Sequence, residues 1–406
     1  MSIQGKHILV GISGGIAAYK IPELIRSLVK AGAEVRVATT KNALQFVTEL
    51  TLQTVSGSRV YSDVFAAINE HSTEHISLPD WCDAMIVAPA TANVLGKMAA
   101  GIADDAMTTT IASCVARKPM VIAPAMNDKM WENPATQHAV ETIRSWENVT
   151  VVEPAEGVLA CGAVGKGRMP EIEDLQEALE YALTPKTMAG KRVLITAGGT
   201  QEQIDPVRFI SNYSTGKMGF ALAQACARHG AEVTLVAGSV STSLTNPFGM
   251  IKRIDALSAQ AMYEACMSAW PKQDIAILCA AVADFTPAVQ ANEKIKKEDL
   301  SLQNSVFSIQ LKETPDIAKA LGESKRADQC LVGFALETQN EKENALRKLE
   351  RKNLDAIILN SLRDKGAGFG TDTNIVTILQ ADGSVTALPL QSKTLISEEI
   401  LRVLFS

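Results

Sequence analysis

The chain has 406 residues, 47% of them hydrophobic and 21% charged, with a formal net charge of −6 and a pI near 5.6. That balance excludes a disordered chain, and the length allows two domains with cores of their own. The acidic charge, with no strong basic patch, argues against nucleic acid as the primary partner. Anionic small ligands stay open, because a helix N-terminus or single lysines hold phosphate even in an acidic protein.

Residues 6–40 read as a strand (HILVGI), a glycine turn (SGG), a helix (IAAYKIPELIRSLVKAG) and a second strand (AEVRVATT). The run Ile8–Ala18 after Lys6 looks like a signal-peptide core, but Ser13, Gly14 and Gly15 interrupt it and an amphipathic segment follows, so it is read as mature structure. Further strands are expected at AMIVAPA (84–90) and PMVIAPA (119–125). DLQEALEYAL reads as a closing helix and TPKTMAG (184–190) as a linker, since Pro and Gly break both regular structures. The boundary is placed near residue 188, dividing the chain into 1–187 and 188–406.

Residues 191–238 then repeat the opening plan as RVLITAGGT, a longer loop, GKMGFALAQACARHG and AEVTLVAG. Strands follow at 275–283, 330–336 and 355–360. Gly32 and Gly230, each followed by Ala-Glu-Val, are expected to close the two helices. Continuous apolar strands with helical crossovers predict an α/β chain of two Rossmann-like three-layer domains with largely parallel sheets. Ligands of such sheets bind outside the carboxyl ends of the strands.

The seven cysteines, Cys82, Cys114, Cys161, Cys226, Cys266, Cys279 and Cys330, are scattered and contain no Cys-x-x-Cys pair. That argues against a disulfide framework or cysteine zinc site and suits a reducing cytoplasm. No apolar run approaches the roughly 18 residues of a membrane span, so no membrane role is expected.

Gly11-Ile12-Ser13-Gly14-Gly15 lies at a strand-to-helix turn, where small residues allow close backbone approach and the helix N-terminus favours phosphate. It also fits a Gly-x-Ser-x-Gly nucleophile elbow, but it follows the first strand and no Asp–His pair accompanies it. His71-Ser72-Thr73-Glu74-His75 matches a His-x-x-Glu-His zinc pattern, which requires a helix. Ile76-Ser77-Leu78-Pro79 follows directly and predicts an extended stretch or turn instead. No metal ligand is assigned.

HISLPDWCDAMIVAPATANVLGKMAAGIADD (75–105), PAMNDKMWENPATQ (124–137) and GVLACGAVGKGRMPE (157–171) occur in the order of the flavin-dependent cysteine decarboxylases and resemble their phosphopantothenoylcysteine branch. The resemblance covers roughly the first 185 residues and implies a flavodoxin-like flavoprotein domain. A carboxylate beside a thiol-bearing chain has no electron sink. The resemblance implies that FMN oxidises the thiol to a thioaldehyde, which accepts the electrons left by CO2, and that reduced flavin then returns hydride to the enethiol. It implies His75 as the base near the thiol, Asn127 as holder of the substrate carboxylate and Cys161 as proton donor in the final reduction. The resemblance further implies that Met126 helps shape the site and makes Ser13, Gly14 and Thr40 candidates for FMN contact, with Ala88, Thr91 and Asn93 lining the same strand ends.

TAGGTQEQIDPVRFISNYSTGKMG (196–219), AAVADF (280–285), KIKK (294–297), TPDIA (314–318) and GFALET (333–338) resemble bacterial phosphopantothenate–cysteine ligases. Those enzymes use CTP: the carboxylate displaces pyrophosphate to form an acyl cytidylate, and cysteine's amine releases CMP. The resemblance implies that Asn212 contacts the acyl intermediate, Arg208 supports cysteine attack and Lys294 assists acyl-cytidylate formation. Gly216 and Gly219 are expected to let the backbone approach phosphate. The resemblance also places Leu278, Cys279, Ala280, Asp284, Phe334, Lys348 and Lys352 near CTP, with Pro315, Asp316, Ile317 and Ala318 in a nucleotide-facing helix start. That start is read with Thr314 as N-cap and Pro315 in the first turn, and Lys348 and Lys352 are expected on one helical face. One departure stands out: Asn360-Ser361 replaces the family's common Asn-Asp.

Taken together the two resemblances imply a bacterial-type bifunctional family of coenzyme A biosynthesis. Its substrates are 4'-phosphopantothenate, cysteine, CTP and 4'-phosphopantothenoylcysteine, with Mg2+ accompanying CTP. The family implies decarboxylase trimers in a dodecamer and ligase dimers. Two rivals are weighed. A flavin-binding scaffold that inhibits a phosphatase needs no complete ligase. An NAD oxidoreductase needs a Gly-x-Gly-x-x-Gly turn with an acidic ribose partner, which neither opening has.

Overall fold

The computed structural model describes residues 3–65, 73–158, 162, 164–241, 244, 246, 248–296, 307–337, 339–361, 368 and 370–405. They form two compact units, residues 1–185 with 245–248 and residues 186–244 with 249–406.

In the first unit, β1 (His7–Ile12), β2 (Glu34–Thr39), β3 (Val60–Tyr61), β4 (Ala84–Ala90), β5 (Met120–Pro124) and β6 (Val149–Val151) form one parallel sheet, ordered β3-β2-β1-β4-β5-β6. A small hairpin, β7 (Ala155–Val158) and β8 (Val164–Arg168), follows. The helices are α1 (Ile21–Lys30), α2 (Glu49–Ser56), α3 (Glu74–Trp81), α4 (Ala92–Ala100), α5 (Ala106–Cys114), α6 (Asp128–Trp131), α7 (Pro134–Arg144) and α8 (Ile172–Leu183). Alternation along the strands splits the core in two. Ile8, Val10 and Ile12 pack with Leu24, Ile25 and Leu28 of α1 and Leu175 and Leu179 of α8. Leu9, Met85 and Val87 pack on the other face with Leu95 of α4, Met107 and Ile111 of α5 and Val140 of α7. Each fully buried aliphatic side chain contributes about 1.5–3 kcal/mol, so four on α1 outweigh the weak intrinsic stability of a ten-residue helix.

The extended stretch expected at 76–79 is instead part of α3. Pro79 lies inside that helix, where it removes one hydrogen bond and costs about 3 kcal/mol in isolation. Burial of Leu78 and Pro79 against the core offsets this, and the Ile76 and Ser77 amides both bond to the Thr73 carbonyl. His71 lies outside the described residues. Among the described residues no group of three or more His, Cys, Asp or Glu is placed to hold a metal ion.

The second unit contains β9 (Arg192–Ala197), β10 (Gln201–Gln203), β11 (Phe209–Ser211), β12 (Glu232–Ala237), β13 (Ile251–Asp255), β14 (Ile275–Leu278), β15 (Phe285–Pro287), β16 (Leu311–Glu313), β17 (Cys330–Glu337), β18 (Ala356–Ser361), β19 (Thr373–Gln380) and β20 (Val385–Ser392). Eight of these form the main sheet, ordered β13-β12-β9-β14-β17-β18-β19-β20, parallel up to β18 and antiparallel beyond it. Helices α9 (Lys217–Arg228), α10 (Ala259–Ala269), α11 (Ile317–Glu323), α12 (Glu341–Arg351) and α13 (Lys393–Phe405) flank it. Among the described residues no helix is long and apolar enough to cross a membrane.

Two expectations change here. The strand read over 275–283 ends at Leu278. Beyond it the Ala280, Ala281 and Ala283 amides bond to the Thr196 hydroxyl, the Gly198 carbonyl and the Thr200 hydroxyl, at 3.1, 2.8 and 2.9 Å, so the chain leaves the sheet without orphaning its donors. The N-cap of α11 is Asp316, not Thr314: the Asp316 carboxylate accepts the Lys319 amide at 3.0 Å. Thr314 instead donates to the Ala283 carbonyl at 2.6 Å, leaving Pro315 outside the helix. Gly32 and Gly230 each stand one residue past a helix cap, with φ of +90°, a conformation costly for any residue with a Cβ.

Candidate active sites at the strand ends

In the first unit the chain order reverses at β1, which neighbours β2 on one side and β4 on the other. Ser13, fully buried just past β1, stitches this switch point together. Its hydroxyl donates to the Pro89 carbonyl at 2.7 Å, lies 3.1 Å from the Thr91 hydroxyl and accepts the Thr91 amide at 3.1 Å. Ala88 lies near the end of β4, and its bond to Pro89 is cis. Gly14 is packed against the next loop: a Cβ there would stand 2.5 Å from Asn42 Cβ and 2.9 Å from its carbonyl carbon. Thr40 is buried, and its hydroxyl accepts the Ala43 amide at 3.3 Å.

The β5 end joins this group through the Ala125 amide, which donates to the Ala90 carbonyl at 3.0 Å. Met126 follows, its amide held by the Gly167 carbonyl of β8 at 2.9 Å. Asn127 caps α6, its side chain accepting the Lys129 amide at 3.0 Å. Asn93 is exposed at the second position of α4. Thus Ser13, Gly14, Ala88, Thr91, Met126 and Asn127 share one set of strand ends. Thr40 stands after β2, and half-buried His75 sits on α3, outside the described hydrogen bonds of that group. Cys161 lies outside the described residues.

The second unit holds a cleft of about 800 Å3. Asn212, Leu278, Cys279, Ala280, Asp284, Pro315, Asp316, Ile317, Ala318, Phe334, Lys348 and Lys352 all line it. Lys294 and Arg208 do not form its wall. Asn212 Nδ2 donates to the Val282 carbonyl at 3.1 Å, tying the loop before α9 to the loop after β14. Lys348 pairs with Glu337 at 2.7 Å and Lys352 with Asp316 at 3.0 Å, so both of these cations have a carboxylate partner. Burial pushes the Cys279 thiol up to about 12, and it lines the wall as a neutral group. At α9, a Cβ on Gly219 would stand 2.5 Å from Ala197 Cβ, so glycine lets the helix start close to the sheet.

Among the polar residues of the cleft, Asn374 and Lys393 fall outside every family motif, and Lys217 lies inside the 196–219 motif without an implied role. Lys217 and Lys393 are the first residues of α9 and α13, where a cation opposes the helix dipole. Lys217 pairs with Asp372 at 2.6 Å. Lys393 is 8% exposed and donates to the Thr371 and Gly368 carbonyls at 2.5 and 3.3 Å. Burial, reinforced by Lys217, holds its pKa below the usual lysine range. A lysine at a helix start was the available clue, but nothing local says that α13 begins at the cleft. Asn360, at the family departure, also lines the cleft, and among the described residues its buried side-chain oxygen has no hydrogen-bond partner. Lys393→Met is expected to lose about 1–3 kcal/mol, because two carbonyls lose a charged donor. A denaturation series should show a lower midpoint, and an unchanged midpoint would exclude this tether.

The fold and these strand-end sites define a two-part α/β protein, and comparison with known families gives the class of each part. Residues 1–183 match the Flavoprotein family model, and residues 188–406 match the DNA/pantothenate metabolism flavoprotein C-terminal domain. The Bacillus subtilis (strain 168) coenzyme A biosynthesis bifunctional protein CoaBC is 47% identical over 403 residues, 98% of this chain and 97% of that relative. Its Escherichia coli (strain K12) counterpart is 42% identical over 402 residues, 99% of this chain and 97% of that protein. The chain belongs to this family of coenzyme A biosynthesis bifunctional proteins. Among solved structures, a crystal structure of the C-terminal domain of CoaBC is 40% identical, covering 54% of this chain and 95% of that one with a TM-score of 0.45. A PPC decarboxylase variant complexed with pantothenoylaminoethenethiol is 32% identical, covering 43% and 97% with a TM-score of 0.40.

Proposed function

We propose that residues 188–406 join 4'-phosphopantothenate to cysteine using CTP, and that residues 1–187 decarboxylate the resulting 4'-phosphopantothenoylcysteine to 4'-phosphopantetheine using FMN. The observation that carries this reading is the identity to bifunctional relatives across both units, 47% over 98% of the chain.

The first site's residues fit FMN. Gly14 leaves no room for a Cβ, and the neighbouring Ile16, Tyr19 and Phe46 are 57%, 61% and 45% exposed, an apolar surface suited to a planar ring. Ser13, Gly14, Thr40, Ala88, Thr91, Asn93 and Met126 would hold it. When bound, FMN would supply the two-electron exchange needed to oxidise the substrate thiol and later to reduce the enethiol. His75 accepts the thiol proton, Asn127 orients the carboxylate for loss as CO2, and Cys161 donates the proton that completes reduction. Cys161→Ser is expected to accumulate the oxidised enethiol. Mass spectrometry showing fully reduced product at wild-type yield would remove Cys161 from this role.

In the ligase cleft, displacement of pyrophosphate develops anionic charge on the phosphates, which the start of α9 and the cleft lysines answer. The buried acceptor of Asn360, without a donor among the described residues, fits a nucleotide that supplies one. Lys294 assists formation of the acyl cytidylate, Asn212 holds it, and Arg208 supports attack by cysteine's amine. Mg2+ bound with CTP would offset the triphosphate charge. The assembly belongs to the same reading: decarboxylase trimers in a dodecamer with paired ligase units, in the cytoplasm. Incubation with phosphopantothenate, cysteine, CTP and Mg2+ should give phosphopantetheine, CMP and pyrophosphate. Accumulation of phosphopantothenoylcysteine would retain the ligase and reopen the flavin half. Absence of nucleotide turnover in folded protein that retains FMN would favour the flavin scaffold.

A further inference from the structure

Arg208 and Lys294 stand outside the cleft wall and come from distant parts of the chain. What joins them is Asp205, 1% exposed in the turn between β10 and β11. Its Oδ1 accepts the amides of Val207 and Arg208, both at 2.8 Å. That much is an ordinary side-chain turn. The second oxygen does something the turn does not need. Oδ2 accepts Arg208 Nε at 2.9 Å, Arg208 Nη2 in a closer contact, and the amide of Ile295 at 3.2 Å. Arg208 Nη2 also donates to the Ile295 carbonyl at 2.7 Å. Both backbone polar groups of Ile295 are therefore held by the Asp205–Arg208 pair.

Two further rungs lie beside this one. The Ala291 amide donates to the Ile204 carbonyl at 3.0 Å, and Gln290 Nε2 donates to Gln203 Oε1 at 2.6 Å. Residues 290–295 are thus laid along the hairpin turn, with Lys294 exposed immediately before the Ile295 rung. A buried carboxylate is tolerated only when its lone pairs are spent on good donors, and these five donors spend them. The Arg208 guanidinium holds the Asp205 carboxyl well below the usual carboxylate range, so the pair stays charged at working pH.

We propose that Asp205 is a positioning residue for ligation: its carboxylate clamps Arg208 and the Ile295 backbone into one frame, so that Arg208 and Lys294 present themselves to the reacting groups together. This rests on the ligase reading given above. Asp205 touches no substrate and acts through the two residues it orients.

The test uses the full chain carrying Asp205→Asn, which keeps the shape but removes the charge and turns N–H groups toward existing donors. The expected result is a loss of about a hundredfold in kcat for both pyrophosphate release and cysteine coupling, the scale of a small misplacement of reacting groups. CTP affinity by calorimetry should stay within about threefold of wild type, and the amides of 290–296 should exchange hydrogen faster. In an Arg208→Gln background the same substitution should add little further loss. Wild-type kcat with unchanged exchange at Ile295 would overturn the proposal. So would loss of CTP binding in parallel with kcat, the mark of a general structural role. If Asp205→Asn does not fold, Asp205→Glu and Arg208→Gln must each speed exchange at Ile295, or the clamp is refuted. A wild-type chain that releases no pyrophosphate would sink the ligase reading instead, while exchange at Ile295 still reports on the clamp.

Discussion

Lys348→Met/Lys352→Met protein is expected to lose CTP-dependent ligation by at least about a hundredfold, while still decarboxylating supplied phosphopantothenoylcysteine. The two ammonium groups face the same cleft and are paired with Glu337 and Asp316. Their removal takes away two charge-assisted donors and leaves both carboxylates facing a polyanionic ligand. A hydrogen bond to a charged group contributes about 1.5–3 kcal/mol, discounted for Lys348 because its side chain is 44% exposed. Quadruple substitution that also replaces Glu337 and Asp316 with their amides should recover part of the loss, because the repulsion goes with them. Steady-state ligation measured with each variant checks this. Activity within threefold of wild type in the double variant would remove both lysines from the nucleotide site.

Gly14→Ala is expected to purify without flavin and to be inactive in decarboxylation, with ligation retained. The added methyl group would meet Asn42 Cβ at 2.5 Å and the Asn42 carbonyl carbon at 2.9 Å, and neither is the far end of a flexible side chain. The loop after β2 must move away, taking with it the turn that begins at Thr40. Ser13 is tied to Pro89 and Thr91 on the opposite side, so the turn has no free direction in which to yield. Overpacking at such a site costs about 1–3 kcal/mol or more, enough to open a preformed cofactor cradle. The visible flavin absorption of the purified protein is the readout. A yellow protein with full decarboxylase activity would show that FMN does not approach this turn.

Much of this architecture was legible before any coordinates. β4 coincides with the apolar run Ala84–Ala90, buried at every position because both faces of the sheet are covered, and β1 and β2 fall where the opening pattern puts them. The glycines at 32 and 230 announce helix ends for an equally local reason. Of the residues that the family resemblance places near a nucleotide, all but Lys294 line one cleft.

The misreadings have a shared cause. Pro79 is a strong local helix breaker, yet α3 persists because its neighbours are buried against a core assembled from distant strands. Ala280–Ala283 continue an apolar run, but they leave the sheet because Thr196, Gly198 and Thr200 offer bonds elsewhere. Asp316 displaces Thr314 as the cap because Thr314 is spent on Ala283.

Periodicity and turn chemistry act over a few residues, so the order of strands and helices and the two-part α/β plan follow from the amino-acid sequence alone. Contacts between residues far apart obey no such local rule. The Asp205 clamp spans 90 residues to Ile295, and Lys393 reaches the cleft only because two antiparallel strands return the chain to it. Those placements belong to the tertiary structure, because the partners that satisfy a buried charge are chosen by the packed fold rather than by neighbours in the chain.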